Sequence, residues 1–209
     1  MSMGLSNMSA EEVVNNFSEN QLKSIIKILG EEKDSSNIAR NIIKTRLSKK
    51  IVKVDQLVEI INKSKKKNYY SKINPSTKTF QALRIFVNKE ISELVDGIIN
   101  ATKVLKPGGK LVIVSFHSIE DKIVKFFFNN FSLSRPNPSR YFPEVKDNNI
   151  YLFNEYKNKV IKPSNNEIVK NPPSRSAKLR YAIRSKHKFS YPKELIIKFK
   201  KYLDLEKYV

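Results

Sequence analysis

Polar caps followed by apolar stripes mark the first third of the chain as helical. Ser9-Ala10-Glu11-Glu12 has the form of a capping box, in which Ser9 accepts from the backbone and Glu12 reaches back. Ser18-Glu19-Asn20-Gln21 repeats that form, and Leu22, Ile25, Ile26 and Leu29 follow at helical spacing until Gly30 stops the helix. Ile38, Ile42, Ile43 and Leu47 form a third stripe, and Val54, Leu57, Val58 and Ile61 a fourth. With no strand signal among them, these stripes predict an all-helical subdomain over residues 9–64. A longer period through Phe80, Leu83, Val87, Ile91, Leu94, Ile98, Ala101 and Leu105 predicts one amphipathic helix over 77–105. Gly97 is a weak point in it, costing about 1 kcal/mol. Lys106-Pro107-Gly108-Gly109 ends it, because proline cannot continue a helix and glycine permits left-handed backbone.

The pattern then changes. Leu111-Val112-Ile113-Val114-Ser115-Phe116-His117 is continuously apolar and β-branched, which predicts a strand buried on both faces, as in a parallel sheet. Ser118-Ile119-Glu120-Asp121 then caps a helix running through Phe131. Helix, glycine turn, strand and helix make an α/β unit, and ligands of such sheets sit beyond the carboxyl ends of strands, where Ser115, Phe116 and His117 lie. Residues 132–149 are Pro-rich and polar and read as a mobile surface loop. Short strands are expected at 150–153 and 157–162, a last strand at 175–184, and a basic amphipathic tail helix at 192–206.

Charge changes the picture. The 209 residues hold 40 Lys and Arg against 20 Asp and Glu, a net charge of +20. Such a field favours a polyanion, with nucleic acid the leading candidate. Lys supplies 32 of the 40 cations, so biased base composition in the source genome is the competing explanation. No apolar run reaches the roughly 20 residues of a membrane helix, and the first residues have no signal-peptide form. A membrane-surface role through the tail helix ranks last, because its apolar face is short and lacks Trp. Absence of Cys removes thiol nucleophiles and thiolate metal sites, and two His argue against a His-built metal site. No metal ligand set is expected.

Several strings together resemble one family. They are Asn74-Pro75 with Thr79-Phe80-Gln81-Ala82-Leu83-Arg84 and Val87-Asn88-Lys89-Glu90, then Leu105–Gly109, Val114-Ser115-Phe116-His117-Ser118-Ile119-Glu120-Asp121, and Asn171-Pro172 followed by Arg175–Arg180. In this order they are similar to the RsmH/MraW family, whose members methylate N4 of a cytosine in 16S small-subunit ribosomal RNA with S-adenosylmethionine. The resemblance implies an α/β fold: the carboxyl-terminal half of a Rossmann-like class I methyltransferase sheet with an all-helical insertion. It implies a helical insertion (substrate-recognition) domain over 1–72, the second half of the methyltransferase domain over 73–190, and a basic tail over 191–209. The family's cofactor-binding segments precede the equivalent of Met1, so no cofactor-binding residue is assigned here. The chain alone is expected to bind S-adenosylmethionine poorly and to be inactive, with a non-catalytic RNA-binding remnant as the alternative. Ribosomal RNA, the small ribosomal subunit, a cytoplasmic location and self-association through an exposed sheet are the further expectations.

Within that frame, His117 is a candidate hydrogen-bonding or proton-accepting group near the target amine, or else a residue that orients the following cap. Ser115 is the second catalytic candidate, and Phe116 lines a base pocket by stacking. Glu120 and Asp121 are read as cap and dipole partners. Arg84, with Gln81 beside it, pairs with a carboxylate or grips a phosphate, in a network with Asn88 and Glu90. Lys65, Lys66, Lys67 and Tyr69 form a phosphate-contacting and stacking strip, or else a solvated loop. Arg180 stands with Arg175, Lys178 and Arg184 on a basic strand face. Asn171-Pro172-Pro173-Ser174 lacks the aromatic fourth residue of amino-methyltransferase motifs and reads as a loop.

Overall fold

The computed structural model describes residues 8–65, 74–133, 151–156 and 159–208. Helices begin where the caps predict. Helix α1 (Ala10–Asn16) and helix α2 (Glu19–Leu29) each carry a complete capping box, from Ser9 with Glu12 and from Ser18 with Gln21. Helices α3 (Ser35–Ser48) and α4 (Val54–Ser64) follow. Their buried faces are Ile38, Ala39 and Ile42, and Leu57, Ile60 and Ile61, whereas Leu47 and Val54 are exposed. Asn15 closes this bundle from the side, donating to the carbonyl of Ile51 at 2.7 Å and accepting its N–H at 3.0 Å. Gly30 does not adopt a left-handed conformation (φ −91°). A Cβ there would meet the Lys78 carbonyl oxygen at 2.6 Å and that of Ile26 at 2.7 Å, so close backbone approach, not backbone torsion, requires glycine.

The single helix expected over 77–105 is two: α5 (Thr77–Val87) and α6 (Glu90–Val104). Lys89 breaks it with φ +51°, a left-handed residue between them. Apolar periodicity carries across that break and therefore could not reveal it. Glu206 caps α6 from a distant part of the sequence: its carboxylate accepts from the N–H groups of Ile91 (3.1 Å) and Ser92 (2.8 Å) and from the Ser92 hydroxyl (2.6 Å). Burial pushes the Glu206 carboxyl above its ordinary value, and the Ser92 and Ile91 hydrogen bonds offset this only in part.

Strand β1 (Lys110–Ser115) leads into α7 (Ser118–Asn130). Strand β2 (Phe153–Glu155), helix α8 (Asn165–Lys170), a 3-10 turn (Pro172–Ser176), strand β3 (Lys178–Arg184) and helix α9 (Lys193–Glu206) complete the order. The sheet order is β1-β3-β2, with β3 antiparallel to both neighbours. This corrects the expected parallel pairing of β1. It also corrects the burial expected on both of its faces, since exposure alternates along the strand. On one face Ile113 and Ser115 stand opposite Arg180 and Lys178, under α7. On the other, Val112 and Val114 remain about half exposed (52% and 48%). Gly108, at φ +82°, makes the turn into β1. Phe127, Phe128, Phe153 and Tyr156 pack with ring centroids 5.2–5.6 Å apart to form the sheet's apolar support.

The chain divides into two compact units, residues 1–93 with 200–209 and residues 94–199. The apolar stripe of the tail helix is spent inside the protein: Leu195, Phe199, Tyr202 and Leu205 are buried. Among the described residues no helix is long and apolar enough to cross a membrane. The Pro-rich stretch 134–150 and the linker 66–73 lie outside the described residues.

Candidate functional site

The candidate site is the end of β1. Ser115 is buried and its hydroxyl donates to the Lys178 carbonyl at 3.3 Å. Phe116, one residue on, is 55% exposed. His117 is the N-cap of α7. Its Nδ1 accepts from the Glu120 N–H at 3.4 Å, which places the ring proton on Nε2, and Nε2 lies 3.4 Å from Glu120 Oε1. Glu120 Oε2 in turn accepts from the N–H groups of Phe116 (2.8 Å) and His117 (3.2 Å). The imidazole thus occupies a reciprocal cap, with both of its nitrogens directed at Glu120.

Asp121 binds the neighbouring strand. It accepts from Arg180 Nε at 2.7 Å and Lys178 Nζ at 3.0 Å, and Arg180 also donates to the Tyr156 hydroxyl at 2.9 Å. Burial alone would raise the Asp121 carboxyl. The hydrogen bonds from Arg180 and Lys178 outweigh it and hold the group below its ordinary value. Burial raises the Tyr156 hydroxyl. Arg184, fully buried and without a carboxylate, donates to the carbonyls of Thr102, Leu152, Ser185 and His187. It ties α6, the segment before β2, and the end of β3 together. Its alternation with Arg180 placed it on that face, but sequence gives no sign that its partners are carbonyls.

Arg84 grips a carboxylate. It forms a two-point pair with Glu90 (2.7 and 3.0 Å), and Asn88 Nδ2 donates to the Arg84 carbonyl at 3.0 Å and approaches Glu90 at 3.5 Å. The three residues bracket the left-handed Lys89, so the motif string fastens the break between α5 and α6. Gln81 is half-buried on α5. Lys65 donates to Glu32 (2.5 Å) and to the Pro75 carbonyl (2.7 Å). Lys66, Lys67 and Tyr69 lie outside the described residues.

The two units differ in charge. Described residues of the 94–199 unit hold 16 Lys and Arg against 6 Asp and Glu, a net of +10. Those of the other unit hold 17 against 12, a net of +5. A donor carrying an adenosyl group needs a strand-to-helix turn with free amides or a carboxylate beyond a strand. The turn from β1 into α7 does not fit, because Glu120 already takes the amides of Phe116 and His117. The glycine turn does not fit either, since it runs from a helix into a strand. The described residues therefore build no cradle for S-adenosylmethionine.

Comparison with known proteins places these features. The family model described as the MraW methylase family matches residues 1–185. The Ribosomal RNA small subunit methyltransferase H of Hyphomonas neptunium is 40% identical over 185 residues, which are 88% of this chain and 54% of that protein. Its namesake from Caulobacter vibrioides is 40% identical, over 88% of this chain and 60% of its own length. That from Bartonella bacilliformis is 43% identical, over 88% and 55%. The chain thus spans a little over half the length of these relatives. With the β1–α7 cap, the Arg84–Glu90 clasp and the matched residues 1–185 in one order, the chain belongs to the MraW methylase family.

Proposed function

We propose that this chain carries the RNA-facing part of a small-subunit ribosomal RNA methyltransferase acting on N4 of a cytosine, and that it does not transfer a methyl group by itself. The observation that carries this reading is the 40% identity over residues 1–185 to proteins named for that RNA, joined to a β1–α7 turn whose amides are already taken. S-adenosylmethionine is the donor the family implies, and the residues that would hold it are not among those described.

What the chain's own residues would do is bind and orient. Phe116 projects past the end of β1 and offers a ring on which a base held out of its stack can rest. His117 fixes the backbone under that ring through its cap with Glu120, and Ser115 fixes the strand end on Lys178. The excess charge of the 94–199 unit draws the phosphate backbone. Residues 1–72, with Lys65, Lys66, Lys67 and Tyr69 at their end, supply substrate recognition, and Arg84 and Gln81 support it from α5. Ribosomal RNA as substrate implies a cytoplasmic location.

A filter-binding assay with 16S RNA at low and high salt, run beside a methyl-transfer assay with labelled S-adenosylmethionine, tests this. Binding that falls steeply with salt and no transfer are expected. Methylation of the RNA by the purified chain alone would overturn the proposal, as would absence of RNA binding at low salt.

A further inference from the structure

The helical unit holds a polar groove. Helices α3 and α4 and the turn between them enclose about 390 Å³, which lies within the roughly 300–1,000 Å³ of ordinary ligand clefts. Ile51 and Ile60, both buried, form its floor. Its rim is cationic. Lys44 and Lys49 are exposed on it and meet no carboxylate among the described residues. The acidic group of the lining, Glu59, is already neutralised by Lys63 at 2.6 Å. The groove therefore keeps two uncompensated cations for an anion.

Two amides line the same groove, and their orientation is fixed. Gln56 accepts from the N–H groups of Val52 (3.0 Å) and Lys53 (2.9 Å), so the atom facing those donors is Oε1. What Gln56 has left to offer is the pair of N–H groups on Nε2. Ser64 spends its hydroxyl proton on the Ile60 carbonyl, so its oxygen accepts from Asn41 Nδ2 at 2.8 Å. The other amide atom of Asn41, Oδ1, is left as an acceptor. Neither Gln56 Nε2 nor Asn41 Oδ1 has a partner among the described residues. The Thr45 hydroxyl donates to the Asn41 carbonyl (2.8 Å) and keeps its lone pairs as a further acceptor. Amides held at one atom lose little side-chain freedom when the other binds a ligand.

A fixed donor and a fixed acceptor beside two free cations match a nucleotide. Its phosphate is an anion, and its base edge presents donors and acceptors side by side. A base can turn that edge to a protein only when it is unpaired. A simple anion would use the lysines and leave both amides idle. We propose that the α3–α4 groove is a site for one unpaired nucleotide of the RNA, with its phosphate on Lys44 and Lys49 and its base edge on Gln56 Nε2 and Asn41 Oδ1. The proposal rests on the reading that this chain faces RNA, and adds to it a grip within the helical unit.

The test is the affinity of the 209-residue chain for a short labelled single strand of 16S RNA, measured across a salt series. Lys44→Ala with Lys49→Ala is expected to weaken binding about tenfold at low salt and to lower the log–log salt slope by about 1.4, two charges at about 0.7 each. The control pair Lys27→Ala with Lys33→Ala removes the same charge from exposed positions outside the groove, and is expected to cost less than half as much. Gln56→Glu keeps an oxygen for Val52 and Lys53 and removes both N–H donors. It should weaken binding about fivefold more than Asn62→Asp, which adds the same charge to α4 outside the groove. Circular dichroism and melting curves should match the parent in every variant. On duplex RNA the Lys44–Lys49 pair should cost no more than the control pair. Equal losses from the two lysine pairs on the single strand, or a Gln56→Glu no worse than Asn62→Asp, overturn the groove and leave only the general field of the protein. Displacement of the strand by micromolar cytidine monophosphate gives the groove to a free nucleotide and overturns the RNA assignment. Binding to 16S RNA that ignores the groove variants removes the proposal and keeps the functional reading. Groove-dependent binding with no preference for 16S RNA over an unrelated single strand keeps the proposal and removes the ribosomal reading.

Discussion

In the helical unit Leu22, Ile25, Ile38 and Ile61 are wholly hidden, whereas β1 presents apolar residues on two faces and has one of them covered. Both regions bury aromatic and branched side chains to the same degree where a neighbour exists: Phe86 is as inaccessible as Phe127, Phe128 and Phe153. What separates them is closure. A helix satisfies its backbone internally and needs cover only for one stripe. A strand exposes backbone groups at each edge and side chains on each face, and among the described residues β1 has a partner at one edge. The sheet unit also carries the larger net charge, +10 against +5 among described residues, so its open apolar face lies in a strongly cationic body.

The covered face of the sheet is where substitution should cost most. Phe128→Ala removes a ring that meets Phe153 at 5.2 Å and Tyr156 at 5.3 Å, and should lower stability by about 3–5 kcal/mol in urea denaturation. Arg180→Ala follows, at about 2 kcal/mol, because it leaves the half-closed Asp121 carboxylate to Lys178 alone and takes a donor from the Tyr156 hydroxyl. Asp121 is held below its ordinary value, so its contribution is present above that value and is lost as pH falls through the lower folded one. Arg180→Ala should flatten that acid limb. A variant that unfolds like the parent at every pH would return Arg180 to a purely RNA-binding role.

Gly30→Ala tests the helical unit in the same way. The methyl group would press on the Lys78 and Ile26 carbonyl oxygens, which cannot move without shifting α5 or α2, and about 1–3 kcal/mol should be lost. The glycine was legible as a helix stop from its position after Leu29, but the contact that requires it joins residues far apart in sequence. The same limit explains the rest. Capping boxes and stripes are local, and Ser9, Ser18 and the tail helix could be placed to within a residue or two. Lys89 hides in a continuous period because a single left-handed residue leaves apolar spacing unchanged. The run from Leu111 to Val114 states what β1 offers to neighbours and not which neighbours it meets, so a continuous apolar run does not fix burial on both faces. The Arg180–Asp121 and Arg184–carbonyl contacts span dozens of residues and have no local signal at all.

Glu206→Gln gives a smaller effect of opposite sign to that at Asp121. Burial raises the Glu206 carboxyl, so the folded protein holds that proton more tightly than the unfolded chain. Stability should fall as pH rises from the ordinary carboxylate value through the raised folded value. Glutamine removes the titration but keeps one oxygen where Ile91 and Ser92 use two, so the variant should lose about 1 kcal/mol on the parent at acid pH, and the deficit should shrink as pH rises. Thermal melts at acid and neutral pH decide it, and a variant with the parent's pH slope would locate the slope elsewhere.

His117→Asn should move stability least and inform most about the site. Asparagine is a preferred N-cap residue, and its side-chain oxygen can take the Glu120 N–H that Nδ1 now accepts, so a loss below about 1 kcal/mol is expected. Glu120 should go on holding the amides of Phe116 and His117, keeping the exposed ring of Phe116 where it stands. An imidazole that serves as cap alone can therefore be exchanged for an amide with RNA binding unchanged. An imidazole that takes a proton cannot, because the amide has no basic nitrogen at neutral pH. Folding and RNA affinity intact in this chain, with methyl transfer lost when the equivalent exchange is made in the whole Hyphomonas neptunium relative, would separate the second role from the first. Transfer retained there would leave His117 as the brace beneath Phe116.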